Sequence, residues 1–467
     1  MKQSIPRIMI AGTNSGCGKT TIVCGILAAL KQLHVDSASC KCGPDYIDPM
    51  FHSLVFDIPS QNLDLFFTSR EQINYLLAKN SKGKDITIME GVMGFYDGMQ
   101  MNSPKASSYE VAKETGTPVV LVVNCKGMAL SVVPIIKGFL EFQRDHTIQG
   151  VILNGVSKMT GKQLTEIIET QLPVKVYGCI PKLEEFRLAS RHLGLVTPYE
   201  LSGIREDLEV LGRVIQEYVD IEALLELASK ALDIEDEVPE EWRQDLLSHV
   251  GQGITIGVAF DQAFCFYYKD NLELLEELGC KMIKFSPLED QALPKQVDAV
   301  LLGGGYPEIY AKQLSENVSM RKDIKVRLEQ GLFCLAECGG FMYLHECMED
   351  DKGVLYPMVG AIRGECTNQK KLVRFGYIQV ESRKDNPFLR EGENIKAHEF
   401  HYWDSTNNGD HLLAKKPSGK RQWECCHMEH GLMGYPHFYY YSNLKFLIRI
   451  LEQIKEKKRE QAVAVPT

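Results

Sequence analysis

Short, unbroken apolar runs alternate along this chain with longer segments of helical period. In the first half, RIMIAG (7–12), DITIME (85–90), PVVLVVN (118–124) and QGVILNG (149–155) predict buried strands. Between them, the stretch from Thr20 to Leu33 carries Ile22, Ile26 and Leu30 on one face, with Val23 and Leu27 beside them, and predicts an amphipathic helix. Strand and helix in alternation is the pattern of a mostly parallel sheet covered by helices, since parallel neighbours need a crossover. Around residues 233–253 the pattern breaks. DIEDEVPEEWRQD is acidic, contains Pro239 and lacks a strong period, so it reads as a linker or a solvated helix. The alternation then restarts with ITIGVAF (254–260), VDAVLLGGG (297–305) and GLFCLAECGG (331–340). The expected fold is α/β in two domains, residues 1–235 and 253–455, with a linker at 236–252 and a charged tail at 456–467.

A length of 467 residues and an apolar fraction of 44% allow two or three such domains with sizeable cores. The formal charge of −10 offers no basic footprint for nucleic acid. No apolar run reaches membrane-spanning length, and the N-terminus lacks the order of a signal peptide. The fourteen cysteines are scattered and form no C-x-x-C pairs, which reads as buried thiols in the reducing cytoplasm.

The stretch GTNSGCGKTT, residues 12–21, follows a strand and opens a helix. Glycines there let backbone N–H groups curl around phosphate oxygens, and the helix N-terminus adds a favourable dipole. The loop Gly12, Thr13, Asn14, Ser15, Gly16, Cys17, Gly18, Lys19, Thr20 and Thr21 is thus a nucleotide cradle. Lys19 would reach the outer phosphates and Thr20 would help hold Mg²⁺. Gly12 lies one position earlier than the strict phosphate-loop spacing, so the loop is a variant. KCGPDYIDP (41–49) places Asp45 and Asp48 on a loop broken by two prolines. Glu90 ends a strand, and Asp97 lies in the loop after it. Ligands of open α/β sheets sit beyond the carboxyl ends of the strands, and hard oxygen ligands there suit Mg²⁺.

A second site centres on Cys338, between an apolar strand and a helical stretch, GGFMYLHE. A nucleophile on such a turn is expected to be exposed, with its pKa lowered by the helix N-terminus. Gly339 and Gly340 give the turn room. Backbone N–H groups of Gly304, Gly305 and Gly339 are candidate oxyanion donors. His437, in GYPHFYYYSN, is the candidate general base. His398 and His401 do not form H-E-x-x-H and read as structural or substrate-facing.

Together the phosphate loop, KCGPDYIDP, GVMGFYDG, SRHLGLV, FDQAFCFYY, FSPLED, GGGYPE, AECGGFMYL and HEFHY resemble the cobyrinate a,c-diamide synthase family, in order and from end to end. The first half is similar to the dethiobiotin-synthetase-like branch of phosphate-loop proteins, and the second to class I glutamine amidotransferases. The resemblance implies ATP, Mg²⁺, glutamine and a corrinoid polycarboxylate as ligands. It implies metal ligation by Thr20, Asp48 and Glu90, substrate contacts by Asp45 and Asp97, and an adenine contact or strand-end cap at Asn154. It also implies glutamine hydrolysis at Cys338 with His437 as base, and ammonia delivered by a shielded route to an acyl phosphate. Many class I amidotransferases carry a glutamate two residues after that histidine. Here the position is Tyr439, so the third member is a backbone carbonyl or another carboxylate. The aromatic run Phe264, Phe266, Tyr267 and Tyr268 reads as core, and Arg191 and His192 as candidates to neutralise ring carboxylates. Nickel sirohydrochlorin is the alternative substrate, and a partitioning-type ATPase the alternative class. Homodimerisation is left open.

Overall fold

The structure, a computed structural model, describes residues 2–182, 190–191, 194–195 and 203–464. It divides into two compact units, Met1–Pro239 and Glu240–Thr467. Among the described residues, no helix is long and apolar enough to cross a membrane. All fourteen cysteines are free thiols.

The first unit is built on seven parallel strands. Their spatial order is Ser60–Leu63, Ser37–Cys42, Ile86–Glu90, Arg7–Gly12, Val119–Asn124, Ile148–Asn154 and Lys175–Ile180. The apolar runs become the central strands, buried because helices cover the sheet. Arg7–Gly12 lies in the middle and runs into the glycine-rich loop, after which the helix Lys19–Gln32 begins. That helix packs on Ile204–Tyr218, where a Cβ on Gly25 would stand 2.4 Å from Ile215 Cγ1. Three strands escaped the apolar pattern, Ser60–Leu63, Ser37–Cys42 and Lys175–Ile180; of these Ser37–Cys42 reads SASCKC and is buried throughout. His192 lies outside the described residues, and Arg191 is placed only within a two-residue strand, Ser190–Arg191.

The second unit joins a parallel sheet to antiparallel ones. The parallel sheet runs in the order Lys281–Phe285, Thr255–Ala259, Ala299–Leu302, Phe333–Glu337 and Gly431–Gly434. An antiparallel sheet includes Arg374–Glu381, Asn394–His401 and His437–Phe438. The acidic segment after Pro239 forms the helix Glu240–Leu246, whose Trp242 is buried against Tyr441 at 4.8 Å between centroids. The helix expected from Gly339 ends at Tyr343, because the chain turns into the strand His345–Glu349. The C-terminal helix runs over Leu444–Ala464.

Arg7, the first residue of the central strand, is fully buried. Its guanidinium donates to Thr117 Oγ1 at 3.0 Å, Ile5 O at 2.8 Å and Leu232 O at 2.6 Å, and also to Thr115 O. Burial lowers its pKa to about 10, against the pull of Asp233, so the cation persists at neutral pH. Arg7→Leu strands these acceptors without a donor. It should cost about 3 kcal/mol or more of first-unit stability, read by urea unfolding.

Candidate functional site

At the first site, Gly16 and Gly18 have φ of 76° and 100°, in the left-handed region that favours glycine. Gly18 also has no room for a side chain, since a Cβ would lie 2.3 Å from Asn154 Nδ2. Asn154 donates to Cys17 O at 2.8 Å and so braces the loop. Asn14, Ser15 and Gly16 are exposed; Thr13, Gly18, Thr20 and Thr21 are half-buried; Gly12, Cys17 and Lys19 are buried. Lys19 Nζ donates to Asn14 O at 3.2 Å and to Met93 O at 2.6 Å. Phe95 N donates to Gly12 O at 2.8 Å, which lays the loop carrying Asp97 against the phosphate loop. Asp97 Oδ2 accepts from Gly94 N at 2.8 Å. Burial lowers the Lys19 pKa.

The carboxylates gather around a residue that sequence reasoning passed over. Lys41 Nζ lies 2.5 Å from Asp48 Oδ2 and 2.8 Å from Glu90 Oε1. Thr20 Oγ1 donates to the same Glu90 oxygen at 2.6 Å. Burial works against the Lys41 charge, but Asp48 and Glu90 outweigh it and hold its pKa well above the ordinary value. The available signal was a lone charge in SASCKC, a strand with a carboxylate-bearing loop after it. Asp48 is not on a loop as expected. It lies in the first turn of the helix Ile47–Phe56, where Pro49 is tolerated because its missing N–H has no helical acceptor to serve. Asp45 Oδ1 accepts from Ile47 N at 2.9 Å, and burial, then Asp48, push its pKa up to about 7. Burial also raises the Glu90 pKa, and Glu90 Oε2 has no hydrogen-bond partner among the described residues. His52 is buried beneath Glu90, with its pKa lowered to about 4 by burial, and is neutral.

This donor set fits Mg²⁺. Among the described residues, no three His, Cys, Asp or Glu side chains cluster closely enough to cage a metal. Mg²⁺ does not need that, since it binds through one or two carboxylates, water and substrate phosphates. Glu90, Asp48 and the Thr20 hydroxyl are hard oxygen groups gathered beside the phosphate loop.

The second site rests on backbone strain. Cys338 has φ 47° and ψ −104°, where a non-glycine residue is uncommon. Its N–H donates to Gly434 O at 2.9 Å, and Gly340 N donates to Gly303 O at 2.9 Å. The second of these bonds brings the glycine turn after Leu302 onto the cysteine turn. A Cβ on Gly340 would lie 2.1 Å from Leu302 O, and one on Gly339 would lie 3.1 Å from Gly305 N. His437 joins them, since a Cβ on Gly304 would meet its Cε1 at 2.4 Å and its Nε2 at 3.2 Å. Tyr267 pins the turn from behind, accepting from Gly303 N at 2.9 Å. The structure thus collects Cys338, Gly339, Gly304, Gly305 and His437 at the carboxyl ends of parallel strands.

Two expectations about this site change. Cys338 is buried rather than exposed, and its pKa is raised, not lowered. Burial is the main cause and the Glu308 carboxylate the next, while a bond from Gly339 N–H works weakly the other way. A helix of five residues offers too small a dipole to reverse that balance. The thiol is therefore protonated at rest and needs a base. Glu337 lies near His437 Nδ1, with Oε2 at 3.5 Å. Tyr439 is occupied elsewhere, donating to Asp270 Oδ2 at 2.9 Å. Glu337 was missed because it adjoins the nucleophile instead of following the histidine.

Phe264, Phe266 and Tyr268 are core residues. His398 and His401 are buried, and burial lowers both pKa values to about 3, so each is neutral. A cleft of about 680 Å³ elsewhere in this unit is lined by Arg363, Asn407, His411, His427 and His430, among others, and by none of the candidate residues.

Residues 8–196 match the family model for a CobQ/CobB/MinD/ParA nucleotide binding domain. Residues 255–447 match that for a CobB/CobQ-like glutamine amidotransferase domain. The chain is a glutamine amidotransferase coupled to a nucleotide-binding unit. Relatives named cobyrinate a,c-diamide synthase extend over nearly all of it. The protein from Caldanaerobacter subterraneus subsp. tengcongensis is 42% identical, over 89% of this chain and 91% of its own length. That from Clostridium tetani is 39% identical, over 96% and 99%. That from Priestia megaterium is 37% identical, over 98% and 99%. The chain belongs to the cobyrinate a,c-diamide synthase family, a family of glutamine-dependent ligases that amidate in cobalamin biosynthesis.

Glu399, beside His398, is fully buried, and burial pushes its pKa from 4.5 up to about 7. The folded state holds this proton more tightly than the unfolded chain does. Stability therefore falls as pH rises from about 4.5 to about 7. Glu399→Gln should exceed wild type by up to about 3 kcal/mol at pH 8, and by less at pH 5, in urea unfolding of the second unit.

Proposed function

We propose that the chain amidates the a- and c-side-chain carboxylates of cobyrinic acid, using ATP to activate the acid and glutamine to supply nitrogen. The reading assigns activation to residues 1–235 and nitrogen release to residues 253–455. Residues 236–252 serve as the connection, and 456–467 as a tail without a chemical role. The ATP supply and the reduced thiols this chemistry needs make the cytoplasm its setting.

A carboxylate resists attack because its charge is delocalised and repels nucleophiles. In the first step a carboxylate oxygen of the ring bonds to the γ-phosphorus of ATP, and ADP leaves. The glycine loop cradles the phosphates with its N–H groups, Lys19 offsets their developing charge, and Asn154 keeps the loop closed near the nucleotide. Mg²⁺, held by Thr20, Asp48 and Glu90, would supply further charge neutralisation. Asp45 and Asp97 contact the ring substrate in this reading. Ammonia then bonds to the acyl carbon, phosphate leaves with the C–O bond electrons, and a proton is released to give the amide.

Ammonia is produced at Cys338. His437 takes the thiol proton as sulfur attacks the glutamine amide carbon, and the N–H groups of Gly304, Gly305 and Gly339 receive the oxyanion. His437 returns the proton to the departing ammonia, and water hydrolyses the thioester to glutamate. The observation that supports the reading most is the strained cysteine turn, packed against a glycine turn that in turn meets a histidine ring. Such strain persists only where the surrounding structure enforces it.

The test compares nitrogen donors. Cys338→Ser should reduce glutamate release by about 10³-fold or more, while synthesis from high ammonium continues. Lys19→Ala should reduce synthesis from either donor by about 10²-fold or more. Loss of both activities in a folded Cys338→Ser variant would contradict this division of labour. Mass shifts on cobyrinic acid and on nickel sirohydrochlorin decide the ring: gain of two amides on the former only is the expected result.

A further inference from the structure

We propose that Glu337 is the positioning residue of the base, so that His437 takes its carboxylate partner from the position directly before the nucleophile. This rests on the assignment of Cys338 and His437 above and extends it.

For His437 to take the thiol proton, Nε2 must carry the free lone pair and Nδ1 the hydrogen. The ring is placed that way round. Nε2 lies on the side of Gly304, next to the candidate oxyanion donors, and Nδ1 faces Glu337 Oε2 at 3.5 Å. That distance is long for a hydrogen bond, but catalytic contacts commonly tighten when substrate binds. Both side chains are buried, so little water competes with the pairing. A carboxylate there selects the Nδ1–H tautomer and stabilises the imidazolium formed when the thiol proton arrives.

Strand register brings the two residues into the same neighbourhood. Glu337 is the last residue of Phe333–Glu337 and is registered opposite Gly434, while His437 is registered opposite His398. Consecutive strand residues point to opposite faces. The φ of 47° at Cys338 breaks that alternation directly after Glu337, which releases the cysteine from the strand's pattern. Tyr439, at the position where related enzymes carry a glutamate, donates to Asp270 and stacks edge-on with Tyr268. It therefore offers His437 no carboxylate.

The experiment measures glutamate release and ammonium-driven synthesis in wild type, Glu337→Gln, Glu337→Asp and Cys338→Ala full-length enzymes. Glu337→Gln should lower the glutaminase kcat by about 10²-fold or more with KM for glutamine within threefold. Glu337→Asp, which keeps the charge, should recover at least about tenfold over the glutamine variant. Ammonium-driven synthesis, which does not use His437, should stay within threefold. A kcat within threefold of wild type in Glu337→Gln overturns the inference. So does a change confined to KM, or an aspartate variant no better than the glutamine one. Should Glu337→Gln fail to fold, Glu337→Asp decides alone: a reduced kcat at unchanged KM supports the inference, and an unchanged kcat overturns it. If wild type itself shows no Cys338-dependent glutamate release, the proposed function fails instead, and the two failures stay distinct.

Discussion

Cys338 occupies a backbone conformation that an L-residue adopts only under constraint, and much of the second unit holds it there. Strand Phe333–Glu337 pairs with Gly431–Gly434 on one side and Ala299–Leu302 on the other. The cysteine N–H is tied to Gly434 O, and Gly340 is pulled onto Gly303. Strain of this kind costs about 1–3 kcal/mol and is retained when the surroundings over-determine it. The same ties bring the glycine turn, which itself meets the His437 ring, onto the cysteine turn. The thiol gains orientation and loses water, which raises its pKa and makes a neighbouring base necessary.

The first unit meets a different constraint with similar parts. A central parallel strand ends in Gly12, a helix starts at Lys19, and the strand Ile86–Glu90 and the helix Ile47–Phe56 deliver carboxylates to the same edge. Burying Asp48 and Glu90 together would be costly without a cation, and Lys41 supplies one from inside the sheet. In the proposed reading the same cluster also receives a divalent cation, beside the phosphates of the nucleotide. Arg7 plays a structural part at the opposite end of that strand, closing off carbonyls that have no strand partner.

Much of this was legible in the chain because apolar runs and glycine turns report directly on buried parallel strands and their exits. The strands Arg7–Gly12 and Val119–Asn124 and the helix from Lys19 fall within a residue or so of the periodicity's boundaries. Ser37–Cys42 did not announce itself, because small polar residues there are buried by the helix and strands around them rather than by their own hydrophobicity. Lys41 was hidden for the same reason. The antiparallel strands, such as Arg374–Glu381, alternate weakly and have one less covered face, so no clean period marks them. Glu337 was obscured by expectation about sequence position, whereas its place beside His437 Nδ1 is set by the fold. The Cys338 pKa was misjudged because burial is a property of the folded unit, and it outweighs a one-turn helix.

In the proposed reading two chemistries share one chain: an amide loses nitrogen at a base-assisted thiol, and a carboxylate is made electrophilic by nucleotide at a lysine-bearing loop. The most direct measurement supplies glutamine labelled with ¹⁵N at the side-chain amide, together with ATP, Mg²⁺ and cobyrinic acid, and weighs the product. The account predicts a diamide carrying ¹⁵N in both new amides, with glutamate and ADP formed alongside. A product that gains no label, or a ring that stays unamidated while glutamine and ATP are consumed, would contradict it.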